Sequence, residues 1–235
     1  MNARQKIKIC FVGFDAYPLF NRKESVVYTG AEVQLYLIAK SFSKLSDYGV
    51  SFVVGNFGQK DVEEYDKIKV YKYPHKIKET IFVYHISDQK KLNKFLSGID
   101  ADIYVYRSGT KIAPLVSYYA KKNNKKFVYM LAYNINAEVA YSNFAKKFVN
   151  KLYPLLGIYR YLYVLSNADE IVVQNYYQKH LLEGNIKRKV NLIRSGYQID
   201  EFIKKNTKYI LYVSRCCDYK QPELFIELAK DFPLE

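Results

Sequence analysis

The 235-residue chain has no tryptophan and only three cysteines. Cys10 lies in an apolar stretch, Cys216 and Cys217 are neighbours, and neither a CxxC pair nor a zinc-type spacing occurs. Adjacent cysteines rarely form a disulfide, so we expect reduced thiols and a cytoplasmic location. The three histidines are scattered, and none accompanies a serine or cysteine in a recognisable nucleophile motif. We therefore expect no metal site and no histidine-activated nucleophile.

Long hydrophobic runs are also missing. The longest apolar stretch, 153–165, is too short to cross a bilayer and contains Arg160. The opening "MNARQKIKICFVGF" has only a short β-like apolar run, so we expect no signal peptide. Yet 49% of the residues are hydrophobic and 17% aromatic, which is typical of a globular chain rather than a disordered one.

Acidic residues are too few to balance the basic ones. Lys and Arg number 37 against 23 Asp and Glu, a formal net charge of +14. Such a field attracts nucleic acid, phosphorylated small molecules or an acidic membrane surface. No helix-turn-helix, RRM or zinc-finger pattern is present, and the lysines are spread along the chain. Nucleic acid is therefore the least favoured of these partners.

Apolar periodicity predicts strands and helices in alternation, which indicates an α/β, Rossmann-like, doubly wound and mostly parallel sheet. The strand at 68–73, bounded by Pro74, is predicted at the sheet edge. Pro154 is expected to split two helices. The predicted strands are 6–14, 49–55, 68–73, 101–109, 126–132, 169–174, 189–196 and 209–214. The predicted helices are 30–46, 88–98, 113–123, 138–152, 155–167, 176–184 and one that follows the last strand.

The first long helix has a predicted apolar face. This face comprises Val33, Leu37, Ile38, Phe42 and Leu45. We expect it to pack on the sheet.

Ligands of doubly wound sheets lie at the carboxyl ends of the strands. The stretch after the first strand lacks GxGxxG, which argues against a nicotinamide or flavin enzyme. The segments expected to line the ligand edge are 13–31, 107–110, 132–136, 174–176, 194–197 and 214–220.

Two of these segments carry open alternatives. Thr29, Gly30 and Ala31 begin a helix, where amide N–H groups bind an anionic ligand or Thr29 simply caps the helix. Arg107 follows a strand, where it meets a phosphate or an acceptor, or pairs with a nearby carboxylate. In each case, the sequence alone supports the two alternatives equally.

The segment 143–165 mixes cations with aromatic residues. A helix of this kind lies in a membrane interface, with its cations on anionic lipid headgroups, or packs on the core with a solvated outer face. The second interpretation is favoured for 155–165, while the two weigh equally for 143–153. The candidate membrane-contact residues are Phe144, Lys146, Lys147, Phe148 and Lys151.

Four stretches, in this order, resemble family 4 of the retaining glycosyltransferases, which have the GT-B architecture of two Rossmann-like halves. They are "TGAEVQLYLIAKSFSK", "ADEIVVQNYYQKHLL" (168–182), "KVNLIRSGYQIDEF" (189–202) and "YILYVSRCCDYKQPELFIELAKDFP" (209–233). The resemblance implies an acceptor-side domain at 1–200, a linker at 201–207, and the first strand and helix of a truncated nucleotide-sugar domain at 208–235.

The resemblance also implies an activity. Members transfer a hexose from a nucleotide sugar, here UDP- or GDP-linked, to a glycan or lipid-linked acceptor with retention of configuration, and the chemistry needs no metal or cofactor. Arg215 and Lys220 match the pair that binds the donor diphosphate. A guanidinium and an ammonium suit that leaving group. The alternative is that both are ordinary solvated charges.

Under this resemblance, Thr29, Gly30, Arg107 and Asn134 would line the acceptor side of the cleft. Thr29 replaces a second glycine of the family. Asn134 follows the strand after which many members carry a histidine, so a histidine-dependent mechanism does not carry over. Asn134 is still suited to hydrogen bonding with sugar hydroxyls.

The family's paired glutamates would lie beyond Glu235. If these residues are the whole protein, we expect little or no transferase activity from the chain alone. The second hypothesis is therefore a non-catalytic module. It is either half of a split transferase whose partner chain supplies the rest of the donor domain, or a degenerate interaction protein.

Overall fold

The computed structural model describes residues 5–21, 28–75, 86–108, 112–142, 152–197, 210–214 and 216–231. The chain forms two compact units, a large one at Met1–Gln198 and a small one at Ile199–Glu235.

The described part of the large unit contains one eight-stranded sheet with the order β3-β4-β2-β1-β5-β6-β7-β8. Neighbouring strands are parallel except for the antiparallel pair β3 and β4. The strands are β1 (Ile7–Val12), β2 (Tyr48–Val54), β3 (Val62–Tyr65), β4 (Ile68–Lys72), β5 (Ile103–Arg107), β6 (Lys126–Met130), β7 (Glu170–Val173) and β8 (Asn191–Leu192).

Helices connect the parallel strands, except that β2 and β4 are connected through β3. The helices are α1 (Tyr17–Phe20), α2 (Gly30–Phe42), α3 (Ile86–Ile99), α4 (Ala113–Lys122), α5 (Asn134–Ser142), α6 (Leu152–Asn167), α7 (Tyr176–Ile186) and, in the small unit, α8 (Pro222–Asp231). The doubly wound, mostly parallel α/β sheet predicted from the sequence is confirmed.

The winding direction reverses between β1 and β5. From β1 the chain runs outward through β2 to β4, and it then returns to the other side of β1 and runs outward from β5 to β8. The connections that leave β1 and β5 therefore diverge, which opens a crevice at the carboxyl ends of these two strands.

The sheet is buried on both faces, as parallel sheets usually are. Along β1, Cys10 and Val12 belong to one core and Ile9 and Phe11 to the other. Because successive side chains of a strand point to opposite faces, one uninterrupted apolar strand supplies both cores.

The strand β4 is not at the edge of the sheet, so that prediction was wrong. The antiparallel strand β3, which the sequence did not predict, pairs with it through Val62 opposite Tyr71 and Tyr65 opposite Ile68. The turn residues Asp66 and Lys67 have φ of 49° and 65°. A two-residue turn with both φ positive suits a hairpin, but such a turn usually contains glycine. Because this turn has no glycine, the sequence did not indicate a hairpin.

The helix α2 ends earlier than predicted. It stops at Phe42, and Leu45 is 52% exposed. Of its predicted apolar face, Ile38 and Phe42 do pack against the core. Its buried side chains are Ala31, Gln34, Leu35 and Ala39. The small alanines bring the helix close to the sheet, where Leu35 reaches the core.

Pro154 does not split the helices where expected, because α6 begins at Leu152 and includes it. The first-turn N–H groups of a helix have no intrahelical acceptor, so proline is tolerated there.

The small unit contains a 3₁₀ turn at Asp218–Lys220 and the helix α8. Residues 210–214 belong to no strand, in contrast to the prediction for 209–214. The described residues of this unit include no strand with which 210–214 could pair. Leu224 and Leu228 are half exposed.

Candidate functional site

Arg107 ends β5 beside the point where the winding reverses, and it is only 6% exposed. Its Nη2 donates to Gln174 Oε1 at 3.0 Å and to Ser195 Oγ at 3.1 Å. Its Nε is buried without a hydrogen-bond partner. Among the described residues, the guanidinium thus has neutral partners and no carboxylate.

Gln174 and Ser195 follow β7 and β8 and bond to each other. The Ser195 hydroxyl donates to Gln174 Oε1 at 3.0 Å, and Gln174 Nε2 donates to the Ala132 carbonyl at 2.6 Å. The chain segments that leave β5, β6, β7 and β8 are therefore tied into one polar network at a single edge of the sheet.

Asn134 extends this network. Its Oδ1 accepts from Asn175 Nδ2 at 3.1 Å and from Gln178 Nε2 at 3.0 Å. Asn175 caps α7 through the Gln178 N–H, and Gln178 Oε1 accepts the Gln174 N–H at 3.0 Å. The Asn134 amide N–H groups have no acceptor among the described residues, and the residue is exposed. They are therefore available to a ligand.

Thr29 caps α2 in a capping box. The Ala31 N–H donates to Thr29 Oγ1 at 3.2 Å, and the Thr29 N–H donates to Glu32 Oε2 at 3.0 Å. The Thr29 hydroxyl also bonds to the Glu32 carboxylate. The helix start thus shows the capping arrangement, with the Glu32 carboxylate placed where the helix dipole favours negative charge.

The connection after β1 carries a second carboxylate, Asp15. Asp15 is exposed, but partial desolvation of its carboxyl group, followed by the Glu32 carboxylate, raises its pKa above the ordinary value. Arg107 and this connection therefore place charge of opposite sign after the two strands of the crevice.

Gln34 joins α2 to the segment after β8. Its Nε2 donates to the Gly196 carbonyl at 2.7 Å, and its Oε1 accepts the Gly196 N–H at 3.0 Å. Gln34 is 3% exposed. A buried side chain that satisfies both polar groups of one peptide fixes the position of that segment.

Sequence reasoning placed Arg107 and Asn134 at this edge and placed Gln174 in a segment expected there. It did not single out Gln34, Gln174 or Gln178 as site residues. A weak signal was present, because Gln174 follows the apolar strand "EIVV" directly and Gln34 lies between buried positions of a helix. Their function as linkers depends on partners far away in the sequence.

The remaining predicted site residues belong to the small unit or lie outside the described residues. Lys220 is exposed in the 3₁₀ turn of the small unit, where its N–H donates to the Cys217 carbonyl at 2.9 Å. Arg215 is outside the described residues. So are the candidate membrane-contact residues Phe144, Lys146, Lys147, Phe148 and Lys151, and their assignment stays a prediction. No described helix has the length and apolarity to cross a bilayer.

No protein-family model matches the chain, and no curated protein matches its sequence. Its fold does match solved structures. Sucrose-phosphate synthase (tll1590) from Thermosynechococcus elongatus aligns with a TM-score of 0.51 and 11% identity, over 80% of this chain and 48% of that one. Arabidopsis thaliana UGT89C1 complexed with UDP-L-rhamnose aligns with a TM-score of 0.50 and 11% identity, over 82% of this chain and 49% of that one.

The chain thus spans about half the length of the solved structures it matches. At 11% identity the likeness shows the fold alone.

Proposed function

We propose that the chain is the acceptor-side domain, with the start of the donor domain, of a GT-B glycosyltransferase. The reaction is transfer of a hexose from a UDP- or GDP-linked sugar to a glycan or lipid-linked acceptor, with retention. The observation that carries the proposal is the polar network of Arg107, Asn134, Gln174 and Ser195 at the carboxyl edge beside the winding reversal. Two solved structures with this fold, a sucrose-phosphate synthase and a UDP-L-rhamnose complex, support it.

The network would serve the reaction by positioning the acceptor. The free amide N–H groups of Asn134 donate to sugar hydroxyls, while Gln178 and Asn175 hold its carbonyl oxygen in place. A binding group whose orientation is already fixed loses little entropy when the acceptor binds.

On the donor side, Arg215 and Lys220 neutralise the diphosphate as the glycosidic bond breaks. The bond pair leaves with the diphosphate oxygen, so negative charge grows on that group in the transition state. Cations fixed beside it stabilise the transition state more than the bound donor.

The proposal is tested by calorimetric titration of the chain with UDP- and GDP-sugars, which requires no knowledge of the acceptor. We expect one nucleotide class to bind. The double variant Arg215→Ala, Lys220→Ala should weaken binding by about tenfold or more, because each charge-assisted bond contributes roughly 1.5–3 kcal/mol.

A matched control is Lys44→Ala, Lys230→Ala, which removes the same charge at two sites outside the proposed donor pair. It should bind like the unmodified chain. Absence of binding for every nucleotide sugar would contradict the donor assignment.

One observation favours the second hypothesis, a non-catalytic half of a split transferase. The described part of the small unit exposes several large apolar side chains. The exposed residues are Ile210, Leu211, Val213, Leu224, Ile226 and Leu228. Nucleotide-sugar binding that appears only after a partner chain is added would support this hypothesis over an independent enzyme.

A further inference from the structure

Arg107 is a buried cation without a counter-ion among the residues that the structure describes. Its hydrogen-bond partners are a neutral amide and a hydroxyl. Burial lowers the pKa of the guanidinium, an effect that Tyr197 and Tyr133 oppose. Arginine nevertheless stays protonated in proteins, so the positive charge persists at the edge of the sheet.

The network around Arg107 does not need this charge. The Ser195 hydroxyl already donates to Gln174 Oε1, and Gln174 Nε2 already donates to the Ala132 carbonyl. A neutral side chain at position 107 would therefore leave the Gln174 oxygen with a donor. Burying an unpaired charge is unfavourable, so packing alone gives no reason for an arginine here.

The backbone around Arg107 is also unusual. Ser108 has φ of 94°, in the left-handed region that favours glycine. Two hydrogen bonds hold it there, from the Ser108 N–H to the Met130 carbonyl at 3.2 Å and from the Tyr129 hydroxyl to the Ser108 carbonyl at 3.0 Å. Strained residues held in this way cluster at ligand sites.

Part of the guanidinium remains available. Nη2 bonds to Gln174 and Ser195, and Nε is buried and unpaired. Nη1 has no acceptor among the described residues. It therefore keeps its hydrogen-bonding capacity for a ligand.

We propose that Arg107 binds an oxyanion, a phosphate or a carboxylate, carried by the acceptor. The acceptor class would then be a phosphorylated or uronic-acid-containing glycan rather than a neutral one. Oxyanions form short, charge-assisted hydrogen bonds with a guanidinium and supply the missing counter-ion. The inference rests on the proposed function for placing an acceptor at this edge, but the anion site can be tested without any transfer reaction.

The test is a titration of the whole chain with inorganic phosphate, glucose 6-phosphate, glucuronate and glucose at low ionic strength. Thermal unfolding and calorimetry serve as readouts. We expect an anionic probe to bind and glucose to bind more weakly. Arg107→Met should unfold at the same temperature or a higher one without ligand, and should bind the anion about tenfold or more weakly.

The matched control is Lys90→Met, which removes one charge from an exposed position of α3 and should leave anion binding unchanged. Arg107→Lys keeps the charge without the planar fork and should fall between Arg107→Met and the unmodified chain. Preference for glucose 6-phosphate identifies a phosphate, and preference for glucuronate identifies a carboxylate.

Three results would overturn the inference. The first is equal binding of glucose and the anions by the unmodified chain, and the second is no binding of any anion at millimolar concentration. The third is a lower unfolding temperature for Arg107→Met with anion binding intact, which would make Arg107 a structural donor. The nucleotide-sugar titration is independent, so failure of the proposed function is distinguishable from failure of the anion site.

Discussion

At the scale of single residues, backbone strain is clearest at Ser108, directly after Arg107. A non-glycine residue at φ of 94° is strained by roughly 1–3 kcal/mol. The hydrogen bonds to Met130 and Tyr129 use its backbone rather than its side chain. Conformation, and not the chemistry of the hydroxyl, should therefore dominate the effect of substitution.

We predict that Ser108→Gly stabilises the chain by about 1 kcal/mol, because glycine adopts this conformation without a Cβ penalty. Urea-induced unfolding followed by circular dichroism measures the change. Ser108→Ala is the control, since it removes the hydroxyl but keeps Cβ, and it should give no gain. Equal stabilisation by both variants would argue against strain as the cause.

The sequence was sufficient to predict some residues of the site but not others. Arg107 and Asn134 were assigned to the ligand edge because they follow predicted strands. Gln174 was not singled out, since a glutamine after a strand is ordinary until its partners are known. Its oxygen accepts from a residue 67 positions away in the sequence.

At the scale of elements, the end of α6 depends on a side chain from outside the helix. Arg188 Nη1 donates to the Leu165 carbonyl and Nη2 to the Ala168 carbonyl, both at 2.6 Å. The last carbonyl groups of a helix lack intrahelical donors and carry the negative end of its dipole. Arg188 supplies hydrogen-bond donors for these carbonyl groups and a positive charge at the negative end of the dipole.

We predict that Arg188→Ala destabilises the chain by about 2 kcal/mol, the typical contribution of hydrogen bonds from a charged group. Arg188→Lys should recover only part of this loss, because an ammonium cannot reproduce the fork. Chemical denaturation is the measurement. A neutral effect of Arg188→Ala would show that water replaces the guanidinium at the helix end.

Elements were predicted well where periodicity was strong and poorly where it was not. The buried strands β1, β2, β5, β6 and β7 each appear as apolar runs. The strand β3 reads "VEEY", with two charges and an exposed pattern, and therefore resembles a loop. The bounds of α2 were missed because Leu45 continues the helical period after the helix has ended.

At the scale of the whole molecule, the positive charge affects stability as well as partner choice. A formal net charge of +14 is self-repelling in the compact state. Ion pairs such as Lys125–Asp100 and Lys126–Asp169, both at 2.7 Å, are partly exposed and offset little of this repulsion.

We predict that raising NaCl from about 10 mM to about 150 mM increases the unfolding temperature, because the screening length falls from roughly 30 Å to roughly 8 Å. Thermal unfolding followed by circular dichroism checks this. The variant Arg107→Met should respond in the same way, which separates general screening from anion binding at Arg107. A lower unfolding temperature in salt would mean that the ion pairs outweigh the repulsion.

The sequence by itself determined the class of the fold and the edge where ligands are expected. Alternating apolar strands and amphipathic helices can bury both faces of a strand only in a parallel, helix-covered sheet. Only the tertiary structure decided that Arg107, Gln174 and Ser195 meet and that no described carboxylate joins them. Local patterns specify which segments become strands, but the order of strands in the sheet follows from packing, and that order brings distant residues into hydrogen-bond contact.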